Sequence, residues 1–203
     1  MIASDASSHA TTHPLTARAL LRPAWILVAL ALVVSARWAA TVAAAPPYLV
    51  GIAFGVAFVA IAAGGGVRVV RPPIGALLIG LAGSLLLVAL AFGASQLAGQ
   101  PIRAVPKTEF VAWTLVTILV ATAEELVLRG ALFDALRDSL GLWVAVVVTS
   151  AAFALMHVPL YGWHVVPLDL GVGVFLAGLR LASGSVAAPA VAHVVADLAT
   201  WWL

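Results

Sequence analysis

Residues 74–97 read IGALLIGLAGSLLLVALAFGASQL, a stretch without one charged side chain. As a helix, at about 1.5 Å per residue, it is long enough to cross a hydrocarbon layer of about 30 Å. It shows no alternation of polar and apolar residues, so it is not a strand of a membrane barrel. Comparable runs lie outward on both sides, at 24–45, 48–67, 109–128, 142–157, 168–180 and 186–203. Breakers separate them: PP at 46–47, RPP at 71–73, GQP at 99–101, DSLG at 138–141, VPLYGWHVVP at 158–167 and SGS at 183–185. The pattern predicts an all-α, polytopic transmembrane bundle of about seven spans, the sixth and seventh short for a bilayer. Arg18 and Arg22 before the first run, and AAA before Pro46, have the form of a cleaved signal peptide. The run is long enough to span, and proline is a poor residue after a cut, so we read it as the first span.

Composition agrees. Of 203 residues, 64% are hydrophobic and 9% charged, with a mean hydropathy of +1.17. Soluble domains carry roughly 45–50% apolar and about 25% charged residues, so lipid must form part of this chain's solvent. The absence of cysteine excludes disulfides, thiolate metal sites and a cysteine nucleophile. The basic residues are scattered beside apolar runs rather than clustered, which argues for a lipid surface and against nucleic acid. Nine of the ten are arginine and alanine is abundant, a composition that points to a bacterial plasma membrane. With the N-terminus in the cytoplasm, Arg18, Arg22, Arg68, Arg71, Arg137 and Arg180 fall inside, and Arg37, Arg103 and Lys107 outside, as the positive-inside rule favours. Trp38, Trp113, Trp143, Trp163, Trp201 and Trp202 stand near span ends, as interfacial anchors do. His9 and His13 read as solvated, and His164 as a loop residue.

Charges inside apolar runs ask for a purpose, because an ionised side chain at the bilayer centre costs about 2.5 kcal/mol or more. The segment ATAEELVLRG (121–130) holds Glu124, Glu125 and Arg129. Glu125 and Arg129 are i, i+4 with the acid first, the favourable order for an ion pair. Glu124 lies about 100° round the helix and is left for chemistry. FALMH ends at His157, and Glu124 and His157 are each 16 residues from the turn at 140–141. An antiparallel hairpin therefore brings them to one depth, about 24 Å from the turn. In AHVVAD, His193 and Asp197 are i, i+4 and can pair. A buried glutamate suits a general base, a histidine opposite can hold water, and a second histidine can donate to an oxyanion. The same residues are also zinc-ligand types, with Glu124, His157 and His193 as the set, although HExxH is absent.

EELVLR, FALMH and HVVAD, with FLAGLRLASGS (175–185) between the last two, resemble in order the EExxxR, FxxxH and HxxxN/D elements of the CPBP intramembrane proteases. That family includes the type II CAAX prenyl endopeptidase and bacterial Abi and bacteriocin-immunity proteins. The resemblance covers roughly 105–203 and implies a catalytic core there, preceded by N-terminal transmembrane helices over 18–104 and a disordered polar tail over 1–17. It implies Glu124 as the base, helped by His157, with His193 and Asp197 at the oxyanion and Glu125 paired to Arg129. The implied reaction is hydrolysis of a membrane-associated peptide or protein, metal-free in our reading, with zinc as the alternative. Asp197 departs from the commoner Asn: an ionised Asp cannot donate to an oxyanion, so we expect it to hold His193 as the donor. The competing readings are a non-catalytic scaffold or immunity protein of the same fold, and a proton-coupled transporter, against which the lack of repeats argues.

Overall fold

The computed structural model describes residues 17–68, 71–97 and 107–202. Of the expected tail all but Ala17 lies outside these residues, as do Arg103 and the boundary at 104–105. The described chain is helical, with no strand among the described residues: α1 (Ala17–Val42), α2 (Pro47–Gly64), α3 (Ile74–Leu97), α4 (Lys107–Glu125), a π-helical segment (Leu126–Leu132), α5 (Phe133–Leu140), α6 (Leu142–Tyr161), a 3₁₀ turn (Trp163–Val165), α7 (Val166–Ser183) and α8 (Ala187–Ala199). Six of the helical stretches are long and apolar enough to cross a membrane. The seventh, α8, has 13 residues and at about 1.5 Å each reaches only about 20 Å, as its short run predicted.

Two boundaries differ from the reading of the sequence. The fourth run does not stop near 128: α4, the π segment and α5 make one continuous rod, Glu109–Leu140. Glu124, Glu125 and Arg129 did not end the helix because they are buried in the bundle rather than set at a lipid interface. The sixth span is not short, since the loop expected at 158–167 is mostly helix. Pro159 sits in the last turn of α6, and the chain reverses at Gly162, whose φ of 89° favours glycine. The span from Trp163 to Ser183 then has 21 residues.

The outer faces are apolar, and a few polar side chains are enclosed in an otherwise hydrophobic interior. Leu32, Leu85, Leu90, Val111 and Val147 are exposed, while Ser84, Glu124, Glu125, Arg129, Thr149, Ser150 and His193 are buried. Small residues set the helix spacing, as lipid offers no hydrophobic drive for helices to associate. Gly51 and Gly55 of α2 face Val116 and Leu119 of α4, and Gly80 of α3 meets α8 backbone to backbone. A Cβ on Gly80 would stand 2.7 Å from the Ala188 carbonyl oxygen and 2.9 Å from Val191 Cβ. Gly80→Ala is therefore expected to cost about 1–3 kcal/mol by overpacking and to displace the helix that carries His193. Gly75→Ala, with nothing within 4 Å, is the control. Thermal unfolding in detergent compares them, and equal melting would contradict the close approach.

Candidate active site

The C-terminal halves of α1, α6 and α8, the first turn of α7 and the end of α4 all bring polar side chains to one part of the bundle. Arg129 is fully buried and has three partners. Its Nη1 donates to Glu125 Oε1 at 2.8 Å, its Nη2 donates to the Gly173 carbonyl of α7 at 3.0 Å, and its guanidinium lies 4.8 Å from the centre of the Phe153 ring. Phe153 thus has a purpose in FALMH: it supports the arginine on its face while His157 and His193 meet it edge-on. The π segment that carries Arg129 is itself held from α7, where Arg180 Nε donates to the Arg129 carbonyl at 3.0 Å and Nη2 to Asp134 at 3.1 Å. A π turn breaks the ordinary helical hydrogen-bond ladder and is frequent at functional sites.

Glu124 makes no ion pair with Arg129. It is 2% exposed, yet its nearest charged neighbours, Arg37 Nη1 and His193 Nε2, both stand 3.9 Å away. Both exceed hydrogen-bond distance, so among the described residues no donor is bonded to this buried carboxylate.

The two histidines are oriented differently. Nδ1 of His193 is 3.0 Å from Glu125 Oε1, and a carboxylate only accepts, so that nitrogen carries a proton. Its Nε2 faces Asp197 Oδ2 at 3.4 Å and Glu124 Oε2 at 3.9 Å. Glu125 therefore serves both Arg129 and His193, a link across helices that spacing along one helix could not reveal. Nδ1 of His157 donates to the Phe153 carbonyl at 2.9 Å and lies 3.4 Å from Asp169 Oδ2. In a neutral ring this leaves the Nε2 lone pair free. Neither nitrogen of His157 comes within 4.0 Å of a Glu124 oxygen.

Two members of this cluster were missed in the sequence. Asp169, an acid inside the sixth apolar run, is returned beside His157 by the tight reversal at Gly162. Its place in that run was a signal. Arg37 was read as an interfacial charge outside the membrane, but it projects from α1 towards Glu124 with its guanidinium 4.3 Å from the centre of the Phe54 ring. Only the packing of α1 on α2, and of α2 on α4, places it there.

Among the described residues no three His, Asp or Glu side chains stand grouped as they would around a metal ion.

A helical membrane protein with an acid–histidine cluster enclosed in its bundle is the class that fold and site define. Residues 105–199 match the family model described as type II CAAX prenyl endopeptidase, Rce1-like, which supports the likeness of this segment to the CPBP family. The match begins just before α4 and ends with α8, so the resemblance read from the three motifs holds and α1–α3 lie outside it. No curated protein and no solved structure matches the chain.

Proposed function

We propose that the protein is an intramembrane endopeptidase that hydrolyses a peptide bond of a membrane-associated substrate with water activated by Glu124. The observation that carries this reading is the state of Glu124, a buried carboxylate with no hydrogen bond from the described residues, beside a neighbour, Glu125, whose Oε1 is bonded to both Arg129 and His193. A buried charge without a hydrogen bond is costly, and use as a base accounts for its retention.

In this mechanism a water bridges Glu124 and the free Nε2 of His157, whose ring is oriented through Phe153 and Asp169. Glu124 takes the water's proton as the oxygen adds to the scissile carbonyl, and later gives it to the departing amine. His193 has carboxylate oxygens facing both nitrogens, the setting of an imidazolium that donates on both sides. Asp197 and Glu125 hold it so, and its Nε2–H turns to the oxyanion as charge develops there. Asp197→Asn is expected to change the pH dependence of kcat, and an unchanged rate and profile would remove this role.

The reading is tested by incubating the detergent-purified protein with a panel of apolar and prenylated peptides in heavy-oxygen water. A peptidase yields two fragments, the new carboxyl terminus carrying one heavy oxygen atom. A scaffold or immunity protein with this fold returns bound peptide intact.

A further inference from the structure

Arg37 is a cation of the site with two contacts, neither of them a hydrogen bond. It belongs to α1, outside the matched segment 105–199. A guanidinium offers five N–H donors, yet among the described residues none is hydrogen-bonded: its contacts are the Phe54 ring at 4.3 Å and Glu124 Oε1 at 3.9 Å. The group is not needed to balance Glu125, which Arg129 already pairs at 2.8 Å. It is nevertheless held in place, because Phe54 is itself buried and packed on Phe58 with ring centroids 4.1 Å apart. Its side chain keeps 23% exposure, against 3% for Glu124.

We propose that Arg37 is a catalytic residue that donates to the oxyanion, so that α1 and α2 complete an active site the CPBP-type core does not hold alone. The inference rests on the peptidase reading. As the water held by Glu124 adds to the scissile carbonyl carbon, one C–O bond forms and the water's proton passes to Glu124. The carbonyl π pair moves onto oxygen as the anion. That oxygen develops beside the carboxylate that holds the water, within reach of a guanidinium 3.9 Å from the same carboxylate. Arg37 then exchanges its long contact with Glu124, which is now neutral, for N–H donation to the oxyanion. Collapse re-forms the carbonyl, breaks the C–N bond and sends the Glu124 proton to the amine. The cation is matched to charge that exists only in the transition state, which is what raises kcat rather than affinity.

Two measurements test this. Arg37→Ala is expected to lower kcat by about 10²–10³-fold with KM little changed. Arg37→Lys recovers part of the loss, and so does ethylguanidinium added to Arg37→Ala. The second measurement needs no turnover: binding of a peptidyl phosphinate, a tetrahedral anion, against the amide peptide of the same sequence. Arg37→Ala should weaken the phosphinate and spare the peptide. Wild-type turnover and phosphinate affinity in Arg37→Ala would overturn the role of Arg37 and leave the peptidase standing. A loss that neither lysine nor guanidinium repairs, with lowered melting, would make Arg37 structural and overturn the proposal. A wild type that neither cleaves the peptide nor prefers the phosphinate would overturn both readings.

Discussion

Glu124→Gln is expected to lower peptide hydrolysis by about 10²–10⁴-fold, the usual contribution of a general base, while the protein melts no lower than wild type. The two halves of that result have separate causes. The amide keeps the shape of the side chain but cannot take a proton from water. The charge that is removed makes no contact shorter than 3.9 Å, so the long ion pairs that are lost are offset by the smaller cost of burying a neutral amide. The neighbouring substitution should behave in the opposite way. Glu125→Gln weakens the partner of both Arg129 and His193 and is expected to lower the melting temperature together with the rate. Measuring kcat and thermal unfolding for both variants separates chemistry from scaffolding. If Glu124→Gln turned over like wild type, the base would have to be sought elsewhere.

The second large effect is structural. Arg129→Met is expected to destabilise the protein by about 3–5 kcal/mol, the cost of breaking a buried ion pair by removing one partner. The substitution deletes the bonds to Glu125 and to the Gly173 carbonyl and leaves the Glu125 charge buried without its cation. Combining it with Glu125→Gln should recover much of the loss, because a buried pair replaced on both sides costs far less than one halved. Reversible unfolding in mixed micelles can follow all three variants. An additive double variant would show that the two residues do not act as a pair.

How far the sequence could be read depended on the kind of contact. The membrane class needed only composition and the length of runs such as 74–97. Contacts within one helix were also legible, since i, i+4 spacing alone joins Glu125 to Arg129 and brings His193 within 3.4 Å of Asp197. Contacts between helices were not. That Glu125 reaches His193, that Asp169 lies beside His157, and that Arg37 approaches Glu124 each depend on the rotation of a helix against its neighbour, which no spacing along one helix encodes. The π segment after Glu125 was equally hidden, because its stability comes from α7, where Arg180 bonds to the Arg129 carbonyl. Pro159 was read as a break because proline disrupts helix interiors, but α6 runs two residues past it and ends at Tyr161.

The most direct test of the proposed peptidase is cleavage of a quenched fluorescent peptide panel, prenylated members included, by the detergent-purified protein. Wild type is compared with Glu124→Gln and His157→Ala, each with and without a metal chelator. The account predicts cleavage by wild type that withstands chelation and is lost in both variants. Cleavage abolished by the chelator and restored by zinc, or retained in Glu124→Gln, would contradict it.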